Sequence, residues 1–245
     1  MNAAPALGVP LAVVLTLLTA VAALLVRLGG LGLAREVATA AARAAVQLAA
    51  VSLLITAVLR HAGWTALFVA GMAVVAAATA GRRITGTFHL RWTAVPVVAG
   101  TAPVLALLAA TGLVPARPVA VLPIAGILIG GAMTATALTG RRALDELRTR
   151  HGEYEGGLAL GMAPREAALE VCRPAAALAL MPALDQTRTV GLVTLPGAFV
   201  GVLLGGADPV EAGATQLLVL VGLLAVEAAA ALITLELVAS GRLRD

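Results

Sequence analysis

Seven stretches of this chain are apolar for about 20 residues at a time, the length a helix needs to cross the roughly 30 Å hydrocarbon core of a bilayer. No charged side chain occurs before Arg27, so 7–26 forms the first; the others fall at about 38–59, 62–81, 92–116, 118–140, 189–206 and 213–237. A cleaved signal peptide has a basic start and a shorter apolar core. Neither is present, so the first stretch is expected to remain as a span. Of the 245 residues, 60% are hydrophobic and 12% charged. That is about half the charge that covers a soluble domain. The expected fold is all-α: a polytopic membrane helical bundle of about seven transmembrane helices, one permease-sized domain over 1–245, in the plasma (inner) membrane.

Arginine placement sets the orientation, because basic loops are retained in the cytoplasm. With the N-terminus outside, the inner side receives Arg27, Arg35, Arg43, Arg82, Arg83 and Arg91, the arginines of 141–188, and Arg242 and Arg244. The outer side receives only Arg60 and Arg117, and its last loop carries Asp208 and Glu211. Seven spans keep the polar block and the C-terminal arginines on one side, so the C-terminus is expected inside. The net charge of +4 is therefore topological. With 2% aromatic residues there is little to stack on bases, and no nucleic-acid partner is expected.

Residues 141–188 form the one long polar segment, expected to lie in the cytoplasm. Within it Glu155 is followed six residues later by Gly161, then by Val171 and Pro174. A short helix ending at Gly161, which can take a positive φ, and a second starting at Pro164 make a helix–turn–helix. Arg165 and Glu166 would sit on the wet face of the second helix, where a soluble partner can grip them. The plain alternative is a solvated spacer. All 17 basic residues are arginine. A P-loop requires a lysine on the nucleotide phosphates, so this chain holds no ATPase site, and ATP and Mg²⁺ would belong to a partner. No cofactor is expected in this chain, and no catalytic residue.

The Glu155–Gly161–Val171–Pro174 spacing resembles the EAA loop of ATP-binding-cassette permeases, with Gly156 and Gly157 in place of two alanines and Arg173 in place of a leucine. A stronger resemblance comes from several motifs in order. Arg43-Ala44-Ala45-Val46-Gln47-Leu48, Pro123-Ile124-Ala125-Gly126 with Gly130, Leu160 to Ala167, and Asp185-Gln186-Thr187-Arg188 through Pro196-Gly197 all resemble the FetB family of permeases. These are membrane subunits of a bacterial metal exporter paired with the ATPase FetA, and plant aluminium-tolerance permeases look similar. The resemblance implies ATP-driven export of iron or another metal ion through a homodimer of this chain with a separate ABC ATPase. The same machine with a different cargo, such as a nucleotide sugar or a lipid, is the alternative; a stand-alone secondary transporter is the other, although the two halves show no repeat.

A charge inside a span is costly and marks a pathway or a pairing partner. Glu227, mid-way along the last span, is the candidate carboxylate for a hard cation, a packing glutamate being the other reading. Asp185 and Arg188 are spaced to meet on one helical face, as a gate or a local ion pair. Arg43 and Gln47 stand one turn apart on the second span, and Gln216 is placed to share a cavity with Glu227. Pro196 predicts a break in the sixth span. Gly126 and Gly130, and the row Gly197, Gly201 and Gly205, are candidate packing seams. Met133, Met162, Met181, Cys172, His61, His89 and His151 are scattered without ligand spacing.

Overall fold

The computed structural model describes residues 8–86 and 90–243; His89, Arg244 and the first residue of the first expected span lie outside them. Ten helices follow one another: α1 (Val9–Leu28), α2 (Ala34–Val58), α3 (Ala62–Thr85), α4 (Leu90–Thr111), α5 (Pro118–Thr149), α6 (His151–Ala159), α7 (Pro164–Ala179), α8 (Met181–Thr189), α9 (Gly197–Leu204) and α10 (Pro209–Ala239). The described residues contain no strand, only an isolated bridge between Val190 and Thr194. The chain divides into two compact units at Val58. The first holds α1 and α2, a hairpin whose turn uses the positive φ of Gly30 and Gly32.

The second unit, α3 to α10, has a core at two levels. At the first, Val97 of α4, Leu128 and Ala132 of α5 and Val219 and Val226 of α10 interlock with Ala76 and Ala77 of α3. At the second, Ala143 of α5, Cys172 and Ala175 of α7, and Leu235 and Val238 of α10 pack beneath Trp92. Small residues allow these approaches, since without a hydrophobic driving force between helices in lipid, close packing is what holds them. A Cβ on Gly100 of α4 would stand 3.0 Å from the Val226 carbonyl oxygen, and one on Gly126 3.1 Å from Met72 Cε. α5 and α10 run to 32 and 31 residues. At 1.5 Å per residue each is about 45 Å or longer, enough to cross the core and project beyond it.

Among the described residues seven helical segments are long and apolar enough to cross a membrane. The first five and the last match the expected spans, but the sixth does not. Of 190–206 only the eight residues of α9 are helical, about 12 Å at helical rise, and too short to cross alone. The long apolar segment is instead Pro164–Thr189, drawn from the stretch expected to lie wholly in water. The charges of α7 occupy one face, while Ala167, Ala168, Val171, Cys172, Ala175, Ala176 and Ala179 form a buried stripe on the other. α7 starts beside Glu236, near the end of α10, and α9 meets Gln216, near its beginning. The sixth crossing is thus assembled from α7, α8, a break and α9.

Gly100→Val should cost about 1–3 kcal/mol by forcing α4 from α10, read as a lower unfolding midpoint in detergent. Gly213→Val, where a Cβ meets nothing within 4 Å, should leave the midpoint nearly unchanged.

Candidate functional site

Glu227 projects from the middle of α10 into the α5–α10 contact and is 8% exposed. A Cβ on Gly131 would lie 2.8 Å from Glu227 Oε1 and would collide with Leu223. The missing side chain of Gly131 is therefore what lets the carboxylate rest against the α5 backbone. No hydrogen-bond or ion-pair partner meets Glu227 among the described residues. Five and eight residues further along α5, the hydroxyls of Thr136 and Thr139 are also buried and unpartnered among those residues. Such groups are costly to bury. They are buried polar atoms left without a protein partner among the described residues of this unit.

The corner between α5 and α7 is built as its glycine and proline predict. α6 ends in a double reversal: Gly161 takes φ +88°, its N–H donates to the Leu158 carbonyl (3.0 Å), and the Met162 N–H donates to Gly157 (3.0 Å). This arrangement satisfies the last carbonyls of α6. Pro164 opens α7, and the Glu166 carboxylate reaches back to accept from the Ala163 N–H (3.3 Å). Glu155 is exposed on α6 and pairs with His151 at 3.4 Å. Arg150, which the sequence reading had not singled out, clamps the corner. Its guanidinium donates to Glu153 (Nε to Oε1, 2.8 Å), lies 3.5 Å from Glu146 and reaches the Val171 carbonyl at 3.4 Å. The hydrogen bond from Arg150 holds the Glu153 carboxyl below the usual range.

Arg165 connects this corner to the membrane unit. Its guanidinium makes a two-pronged pair with Glu236 of α10, Nη2 to Oε2 at 2.7 Å. Glu236, near the end of α10, is the acid that receives it. Nothing local in the sequence signals a partner 71 residues away.

The break in the sixth crossing falls where Pro196 predicts it. α8 stops at Thr189, Gly191 takes φ +79°, and the chain resumes as α9 with Pro196 at its N-cap. Gln216, buried on α10, is engaged by α9. Its Oε1 accepts from the Phe199 N–H (3.2 Å), so a buried α10 side chain supplies the α9 cap that proline cannot. Asp185 and Arg188 form a 3.4 Å ion pair, both more than 60% exposed. They stand at the end of α8 beside the break, not at the inner end of the crossing, because that crossing begins at Pro164 and not at 189 as expected.

Arg43 and Gln47 are exposed on α2, in the first unit. A Cβ on Gly130, Gly197 or Gly201 would meet nothing within 4 Å, and one on Gly205 only its own helix end. Within this unit, packing uses Gly100, Gly126, Gly131 and Gly140 instead. Among the described residues no three acids, histidines or cysteines gather as a metal-binding group. Cys172 is buried, with its thiol on the Ala143 carbonyl.

Gly131→Ala should push the Glu227 carboxylate out of its seat. A membrane-permeant carbodiimide should then label Glu227 faster than in the unaltered chain, while Glu227→Gln abolishes the label. The Glu153 pair contributes fully above the ordinary glutamate value of about 4.3, and its contribution is lost as pH falls through the depressed one. Limited proteolysis between α6 and α7 should therefore accelerate at acid pH, and Glu153→Gln should make that rate pH-independent.

Residues 9–241 match the family described as Uncharacterised protein family (UPF0014). The chain is 37% identical over 210 residues to UPF0014 membrane protein STAR2 of Oryza sativa subsp. japonica, covering 82% of this chain and 73% of that one. Protein ALUMINUM SENSITIVE 3 of Arabidopsis thaliana is 38% identical over 161 residues, 65% of this chain and 59% of its own length. Probable iron export permease protein FetB of Escherichia coli (strain K12) is 34% identical over 125 residues, about half of each chain (51% and 48%). No solved structure matches. Since the family match begins at the first residue of α1 and runs through α10, the chain belongs to this family of multi-pass membrane proteins.

Proposed function

We propose that this chain is the membrane-spanning permease subunit of an ATP-driven exporter of iron or another metal ion. In this reading it works as a homodimer, with ATP and Mg²⁺ on a separate ATPase. The observation that carries the proposal is the linkage along α10. Arg165, four residues after the Gly161 turn, holds Glu236, and Glu236 lies nine residues from Glu227 on the same helix. A force applied to the exposed α6–α7 corner therefore reaches the helix that bears the buried carboxylate. Helices are stiff over that distance, so the corner and the carboxylate move together.

Likeness to a protein named as a probable iron export permease supports the metal cargo and its direction. Likeness to ALUMINUM SENSITIVE 3 keeps other metal ions in view. Arginine placement supports an outside N-terminus and an inside C-terminus, which puts the corner where a cytoplasmic ATPase can reach it. The chain has no lysine, so the phosphate grip of a P-loop has to come from that partner. Glu227 offers oxygen to a hard cation, and the absence of a tight ligand cluster among the described residues suits a cargo that must be released.

The test is iron efflux from metal-loaded cells expressing this chain with and without its candidate ATPase. Efflux should require the ATPase. Gly161→Pro, which cannot adopt the turn, and Glu227→Gln should each reduce it at least about tenfold with membrane levels unchanged. Efflux without any ATPase would instead indicate a secondary transporter. Co-purification without iron movement would send the search to another cargo.

A further inference from the structure

Between α3, α4 and the start of α5 runs a groove of about 740 Å³ that the transport reading does not use. Ala66, Ala70, Ala94, Val98 and Ala102 are among the side chains along it. Its two threonine hydroxyls are already engaged: Thr101 donates to Val97 (2.7 Å) and Thr65 to His61 (3.3 Å). The walls thus offer no hydrogen bond to a sugar, a nucleotide or a hydrated ion.

From Leu90 to Leu105 on α4 the groove runs about 22 Å at helical rise, long enough to seat an extended hydrocarbon chain.

One end of the groove is charged. Arg91 follows Leu90 on the α4 face that carries Ala94 and Val98. Its guanidinium lies 4.9 Å from the Trp92 ring centroid, and that of Arg242 lies 5.1 Å from the same ring. Neither arginine has an acid within ion-pair distance among the described residues, and the nearby Glu236 is held by Arg165. Two cations on one aromatic ring, one of them the residue that follows Leu90 at the groove's end, complement a phosphate carrying an acyl tail. Basic pockets at helix ends recognise anionic headgroups in this way.

We propose that the α3–α4 groove is a binding site for one resident anionic phospholipid, an acyl chain along the alanines and the phosphate on Arg91 and Arg242. The lipid is a fixed part of the transporter and is not its cargo.

The full chain, extracted with its ATPase from vesicles of equal phosphatidylglycerol and phosphatidylcholine, would be examined by native mass spectrometry. One retained phospholipid is expected, phosphatidylglycerol at least about fivefold over phosphatidylcholine, unaffected by ATP. Arg91→Gln should abolish the preference but keep a lipid. Ala70→Phe and Ala102→Phe, each at an exposed position that fills the groove, should lose the lipid while the chain still assembles. Equal retention of both lipids by the unaltered chain, or full retention by both filled variants, overturns the site. Release of the lipid on ATP turnover overturns its resident role and makes it cargo.

Discussion

The arrangement depends on how closely α5 can approach α10. Gly131 removes the one side chain that would hold the two helices apart at the level of Glu227, and the carboxylate settles against the α5 backbone as a result. The same contact carries the core above and below: Leu128 and Ala132 with Val226 at one level, Ala143 with Leu235 and Val238 at the next. Widening it would loosen both layers and wet the acid. Packing and the seat of a buried carboxyl group are therefore set by a single absent methyl group.

The sixth crossing shows a second constraint. Irregular backbone at membrane depth persists only where its polar groups are satisfied by protein or water. Here the turn between α8 and α9 closes partly on itself, with the Gly191 N–H on the Thr194 carbonyl at 2.9 Å, and Gln216 supplies the cap that Pro196 cannot. Leu192 and Val193 remain 89% and 79% exposed. A crossing built from three helical pieces has a joint where a continuous helix would not. Asp185 and Arg188 stand at that joint, so their exposed pair lies where the crossing can bend.

Much of this was legible in the sequence. The long uncharged runs give α1 to α5 and α10 because lipid leaves a polar backbone few alternatives to the helix. Gly161 and Pro164 place the corner turn, and Pro196 places the break. The sixth crossing was misplaced because run-counting looks for unbroken apolar residues, while α7 alternates a charged face with a buried alanine face. Periodicity at 167, 168, 171, 172, 175 and 176 could have found it. Gly131 was hidden among 26 glycines, since nothing local separates a packing glycine from an idle one. The Arg165–Glu236 pair joins residues that only the folded chain brings together, and Gln216 was read as lining a cavity because its capping partner lies on another helix.

The central claim is that the α6–α7 corner and Glu227 belong to one mechanical unit that turns ATP hydrolysis into metal movement. The most direct measurement follows both quantities together, in proteoliposomes holding this chain and its ATPase. Breaking the link with Arg165→Ala should leave hydrolysis running while metal flux falls, and exchanging the charges as Arg165→Glu with Glu236→Arg should restore flux. Flux that stays proportional to hydrolysis in Arg165→Ala would contradict the account.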